Sequence, residues 1–363
     1  MSKNLRRAAA LALALVSFLP FTARAQTAAP EPLKIGFVYV SPIGAAGWTF
    51  QHEQARQAVQ RALGDTVRTR FVEAVAEGPD AERVMRDLAA QGHRLIFATS
   101  FGYQEPALRV LPEFAELRIE HAGGYKSAPR FNTYNARFYE GRWLAGWLAG
   151  KTSKSGVAGY VAGFPLPEVI QGINAFTLGM RAANPNATVR VLWLESWFDP
   201  PREREAALSL INAGADVLAN HSGSPAVPQA AEEKGVKVIG YQSDMSAFAP
   251  QAQLAAVTAD WSGYYTRVAQ SVLAGRWQAQ PVWGGMKDGM VKLTALHPSL
   301  PAALRKELAQ RELQLMAGQA GPFIGRLVDQ AGRVRHERGT LADAAIAQMD
   351  WFVQGVVGTL PAK

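Results

Sequence analysis

Five short segments hold the side chains best suited to chemistry: Gly47-Trp48-Thr49, Phe101-Gly102-Tyr103, Gly163-Phe164-Pro165, His221-Ser222-Gly223 and Gln242-Ser243-Asp244. Each follows an apolar run that reads as a buried strand, and each sets one or two aromatic or polar residues among small ones. Loops at the carboxyl ends of strands are where open α/β sheets bind ligands. Aromatic faces there stack on flat rings, and a carboxylate or hydroxyl pins ring nitrogens or sugar hydroxyls. Trp48 reads equally as a stacking platform or as a core tryptophan. Asp244 reads equally as a ligand contact or as a cap for the turn that follows. Lys287, beside Asp288, reads from its surroundings as half of a solvated hairpin pair.

Bond-making chemistry finds little support. The chain has no phosphate-cradling Gly-x-x-x-x-Gly-Lys loop, no His-Glu-x-x-His helix, no Gly-x-Ser-x-Gly turn and no dinucleotide fingerprint. The six histidines stand apart, none at metal-ligand spacing from another. His221 beside Ser222 and Ser224 admits a Ser-His reading, but no strained turn exposes either serine, so a loop histidine among helix caps is favoured. Cysteine is absent, which rules out disulfides, thiolate metal sites and a thiol nucleophile. No metal and no cofactor are expected.

The ends and the charge bound the class. Lys3, Arg6 and Arg7, then an apolar run over 8–19, then Ala23-Arg24-Ala25 read as a secretory signal peptide over residues 1–25. Its apolar run is too short to span a bilayer, and no cysteine follows to take a lipid. The expected product is a soluble periplasmic protein that is not a lipoprotein. The net charge of +8 includes four cations from that leader, leaving +4 in the remainder. Those bases are scattered and interleaved with acids, so no nucleic-acid footprint is expected.

The elements that must position the five loops form two series. Strands are expected over 33–40, 67–75, 95–99 and 117–122, with helices over 51–63, 79–91 and 103–114 between them. The helix at 136–150 carries Gly141, Gly146 and Ala149 for close packing. A second βα series then runs from 156 to 241, and the region after 254 adds a strand, a helix over 261–273, an extended 281–293, a helix over 301–317, a hairpin over 323–335 and a helix over 341–356. Alternation of this kind specifies α/β architecture, with two lobes of mainly parallel sheet covered by helices.

In order and spacing, several stretches resemble the basic membrane protein family of ABC-transporter substrate-binding proteins, purine-nucleoside receptors with a type I periplasmic-binding-protein fold. They are Asn132-Thr133-Tyr134-Asn135-Ala136-Arg137-Phe138-Tyr139-Glu140-Gly141, Gly163-Phe164-Pro165, Gly214-Ala215-Asp216-Val217 and Ile239-Gly240-Tyr241-Gln242-Ser243-Asp244. The resemblance implies two doubly wound parallel-sheet lobes joined by a multi-strand hinge: 33–132 with 260–291, and 133–259 with 292–363. It implies a ligand-binding set of Trp48, Thr49, Tyr103, Asn135, Gly163, Phe164, His221, Asp244 and Lys287. Trp48 and Thr49 stand where the family has a stacking Phe and an Asn, Asp244 where it has a ribose-binding Asp, and Lys287 in its late Gly-Lys segment. The family's second stacking aromatic falls near 219–221, where no Phe occurs, so His221 or Phe164 would cover the other ring face.

The function so implied is capture of a purine nucleoside or nucleobase between lobes for a membrane permease, by a monomer that makes and breaks no bond. A ligand sensor for a receptor shares every one of these features. A periplasmic nucleoside hydrolase would need an acid-base or metal constellation that the sequence does not display.

Overall fold

Apolar runs pair best where both faces are covered, and the strands Leu33–Val38 and Leu95–Ala98 of the first series lie so, whereas Val67–Val72, with Arg68 and Arg70, takes a half-exposed edge. In the computed structural model, which describes residues 31–361, the strands of this series are β1 (Leu33–Val38), β2 (Val67–Val72), β3 (Leu95–Ala98), β4 (Arg118–Ala122) and β5 (Phe131–Ala136). The helices α1 (Trp48–Leu63), α2 (Pro79–Ala90) and α3 (Gln104–Val110) connect them, and α4 (Phe138–Thr152) leads out. The second series comprises β6 (Val157–Ala162), α5 (Pro167–Ala183), β7 (Thr188–Trp193), α6 (Pro200–Asn212), β8 (Val217–His221), α7 (Ala226–Lys234), β9 (Lys237–Gln242) and β10 (Gln253–Ala259). There follow α8 (Ser262–Leu273), β11 (Val282–Gly284), β12 (Val291–Thr294), α9 (Ala302–Met316), β13 (Leu327–Val328), β14 (Val334–His336), α10 (Asp343–Ala347) and β15 (Val356–Val357). The expected signal peptide lies outside the described residues.

Two main sheets result, ordered β11-β5-β4-β3-β1-β2 and β12-β10-β9-β8-β6-β7-β15. All their pairings are parallel except β10 with β12. The chain passes between sheets three times: after β5, between β10 and β11, and between β11 and β12. Three adjacent passages make a hinge, about which two lobes can approach.

Helices α4 and α5 are nearly in backbone contact. A methyl group added at Gly146 would lie 2.0 Å from the Phe176 carbonyl oxygen, and one at Gly179 would lie 2.0 Å from that of Trp143. The small residues of α4 are thus spent on a helix-helix seam that also buries Trp147 and Phe176.

The carboxyl-terminal region departs from its periodicity. The helix expected over 341–356 is only the short α10, and the chain then runs irregularly to β15, which joins β7. Tertiary hydrogen bonds override propensity here. Gln171 donates to the Ile346 carbonyl, and Asn174 donates to that of Trp351 and accepts from the Val353 amide. Those groups are therefore unavailable to a helical ladder. Among the described residues no helix is long and apolar enough to cross a membrane.

Candidate functional site

The carboxyl ends of β1, β3 and β5 face those of β6, β8 and β9 across a cavity of about 1040 Å³. Its edges already touch. Gly47, which precedes α1 with φ 94°, donates its amide to Ser243 Oγ at 2.7 Å. A Cβ at that position would sit 2.2 Å from the Gly223 carbonyl, so only glycine permits this approach. Asn135 at the end of β5 donates to Glu168 Oε2 at 2.6 Å, a second contact between lobes.

Trp48, Asn135 and His221 line the cavity. The Trp48 indole is half-buried, its Nε1 donating to the Thr99 carbonyl at 2.6 Å. His52 and Trp261 pack edge-on against it, with ring centroids at 4.3 and 5.8 Å. Trp48 thus packs into the core on one side and lines the cavity on the other. His221 places Nε2 3.4 Å from Glu168 Oε1 and 3.4 Å from the Tyr241 hydroxyl. Ser222 and Ser224 both donate to Glu203, at 2.8 and 2.7 Å, so neither serine is held by the histidine.

The other expected residues lie elsewhere. Thr49 is buried behind the cavity wall, hydrogen-bonded at 2.7 Å to Ser41, which does line it. Tyr103 is a core residue, wholly buried, its hydroxyl donating to the Val75 carbonyl at 2.6 Å. Asp244 accepts from the Ser246 amide and the Gln253 side chain and so closes its own turn. Burial alone would raise its carboxyl, but those hydrogen bonds hold it below the ordinary value. Lys287 is exposed in the turn between β11 and β12. Phe164 packs edge-on to Trp197 at 4.8 Å and lines a smaller neighbouring recess. Gly163 makes room for that indole: a Cβ there would be 2.8 Å from Trp197 Cε3.

Two lining residues, Trp197 and Glu168, had no place in the sequence reading, and a third, Gln242, stood in a singled-out loop without being taken as a contact. Trp197, from the irregular stretch after β7, supplies an aromatic ring on the second lobe, 6.2 Å from the His221 ring. Glu168, in the first turn of α5, sets a carboxylate between Asn135 and His221. Gln242 ends β9 at φ 65°, a left-handed conformation that strains a non-glycine residue. It is 2% exposed, and neither its Oε1 nor its Nε2 has a hydrogen-bond partner among the described residues. A buried amide with both ends open, on a strained backbone at a cavity wall, marks a place where a ligand completes the hydrogen bonding.

Behind the wall, the buried Arg142 guanidinium lies 3.5 Å from the Tyr241 ring centroid and donates to the Asn220 carbonyl. Among the described residues no lysine or arginine lines the cavity, whose formal charges there are Glu168 and Asp350.

The buried imidazoles carry a pH dependence. Burial pushes the His121 imidazole down to about 4, and also lowers those of His52 and His221. In the unfolded chain a histidine binds its proton near pH 6.5 (about that value). As pH falls from about 6.5 toward about 4, the unfolded state gains protons that the folded state refuses, so stability is lost across that window. At about 1.4 kcal/mol per pH unit, His121 alone accounts for about 3 kcal/mol. Urea midpoints are expected to drop on acidification through this range, with His121→Gln flattening the slope; a flat profile in the parent protein would contradict neutral burial.

Comparisons with known proteins agree with this architecture. The family described as "ABC transporter substrate-binding protein PnrA-like" matches residues 33–319. A purine-binding protein of Brucella abortus is 46% identical over 334 residues, 92% of this chain and 95% of that protein. A Haloferax volcanii protein, provisionally named an ABC transporter glucose-binding protein, is 37% identical over 331 residues, 91% of this chain and 82% of its own length. An ABC transporter solute-binding protein of Conexibacter woesei shares the fold, with a TM-score of 0.64 at 22% identity over 79% of this chain and 97% of that one. The match over most of the chain, the two-sheet fold and the interlobe cavity together place it: this chain belongs to the PnrA-like family of ABC transporter substrate-binding proteins.

Proposed function

We propose that the protein is the periplasmic receptor of an ABC importer for a purine, taken up as the free base or the nucleoside. The observation that carries this reading is the Gln242 amide, buried and unpartnered at a cavity wall that also presents Trp48 and Trp197. An amide offers a donor beside an acceptor, which matches the adjacent donor and acceptor on a purine edge. Indole faces stack on purine rings. Asn135, Glu168 and His221 then supply polar contacts for the remaining nitrogens or for ribose hydroxyls.

Charge narrows the class. A ligand bearing phosphate or carboxylate would enter a cavity with Glu168 and no lining cation, so nucleotides are disfavoured. An aromatic-walled site with a carboxylate can also take a quaternary ammonium ion. Here the Arg142 guanidinium already occupies a face of Tyr241, and its positive charge opposes a cationic ligand. A neutral heteroaromatic remains. The purine-binding relative supports this reading, and the leader-like pattern over residues 1–25 supports a periplasmic location. The ligand closes the two lobes upon itself, and the closed form is what a permease engages.

Isothermal calorimetry on protein stripped of ligand by unfolding and refolding tests the assignment. Adenine, hypoxanthine, guanine and their nucleosides are expected to include a binder at about micromolar Kd or tighter, equivalent to about 8 kcal/mol. Adenosine monophosphate and glucose are expected to be silent. Glucose binding with every purine silent would overturn the purine reading.

A further inference from the structure

In the first lobe the cavity runs along four strand ends that are neighbours in the sheet, those of β3, β4, β5 and β11, where Thr99, Gly123, Asn135 and Trp283 all line it. Trp48 reaches the first of these, since its indole donates to the Thr99 carbonyl. Trp283 is on the last, three strand spacings away, which is about 14 Å at about 4.8 Å for each spacing. We propose that Trp283 is a second platform, which takes the sugar ring of a nucleoside whose base stacks on Trp48. The proposal rests on the reading of the cleft as a purine site.

Register fixes where that platform lies. Strand β11 pairs in parallel with β5, with Trp283 opposite Asn135, and residues paired in register project from the same face of a sheet. The indole therefore stands beside the Asn135 amide, which donates to Glu168. The Arg137 guanidinium covers one face of the indole, 4.3 Å from the ring, and Tyr139 meets it edge-on with ring centroids at 5.8 Å. Neither of these two residues lines the cavity, so the ring is braced from behind and meets the cavity with its remaining surface. An indole beside an amide and a carboxylate suits a sugar, whose C–H groups lie on the ring while its hydroxyls donate to the carboxylate. Length agrees with this. At about 1.4 Å per bond the fused rings of a purine span about 6 Å and a pentose adds about 5 Å. With a contact distance of about 3.5 Å at the far end, the nucleoside covers the span and the base alone stops short of Trp283.

Trp283→Leu is expected to weaken the nucleoside about tenfold while leaving its base within about twofold of the parent, because leucine offers the sugar no flat face. Trp283→Phe keeps a face and is expected to hold the nucleoside within about threefold. Calorimetry with adenosine and adenine, inosine and hypoxanthine, and guanosine and guanine reads the ratio within each pair. A variant that disturbed the fold or the hinge would weaken base and nucleoside alike, so an unchanged ratio in the leucine variant would overturn the platform. The parent protein supplies a test without substitution: it is expected to bind the nucleoside at least about tenfold more tightly than the 9-methyl base, which keeps the substituted nitrogen and lacks the sugar. Equal affinities for those two, or a parent that binds bases and refuses nucleosides, would equally overturn the platform. A parent that binds no purine in either form would instead overturn the purine reading on which the proposal stands.

Discussion

Trp48→Leu is expected to weaken purine binding about 10- to 100-fold, since an aromatic platform contributes about 1–3 kcal/mol to each stacked base. Leucine is the informative substitution because Trp48 does two jobs. Its indole packs against His52, Trp261 and Phe138, so truncation to alanine would open a hole among aromatic rings and confuse folding with binding. Leucine keeps apolar bulk there but offers no flat face. Trp48→Phe keeps the face and loses only the hydrogen bond to the Thr99 carbonyl, so its affinity is expected to lie between those of the parent and the leucine variant. Calorimetric Kd values, with thermal unfolding as the control for integrity, order the three proteins. If the leucine variant bound like the parent, Trp48 would be a core residue only and the stacking role would fall.

The sequence left Trp48 open between the core and the cavity, because a large aromatic after a buried strand suits either, and in the structure its ring touches both. The alternation of strands and helices was legible, since apolar runs such as those of β1, β3 and β6 alternate with stretches of helical spacing. Residues that act through long-range placement were not. Glu168 looks like any acid in the first turn of a helix, where the helix dipole favours it, and only the approach of β5 shows that it meets Asn135. Trp197 lies in an aperiodic stretch with no strand or helix to orient it. Tyr103 follows a strand as a site residue would, but a 3-10 turn over Phe101–Tyr103 swings its ring into the core. Asp244 and Gln242 differ by two positions at one strand end; the left-handed backbone at Gln242 separates them, and a sequence does not display φ. The tail failed for a related reason. Gln171 and Asn174, some 170 or more residues away in the chain, satisfy its backbone groups and draw it out of a helix.

The strongest expectation concerns Gln242, because its binding and folding effects have opposite signs. Its amide is buried with neither polar atom meeting a partner among the described residues, and a buried group left unsatisfied costs about 1–3 kcal/mol. Gln242→Leu removes those atoms at similar volume and is expected to raise the ligand-free unfolding free energy by about 1 kcal/mol or more. The same change leaves a donor and an acceptor of the purine buried without partners, and is expected to lower affinity about 100- to 1000-fold. A residue that only packs the wall would move both quantities in the same direction. Gln242→Glu adds a test of the hydrogen-bond pattern. It exchanges the donor for a second acceptor, so purines that place a donor beside an acceptor on this edge lose binding, and a ligand presenting two adjacent donors keeps more of it. Urea denaturation without ligand and calorimetry with the best purine measure the two signs independently. A leucine variant that was less stable and still bound the purine would show that the open amide is completed by something other than the ligand.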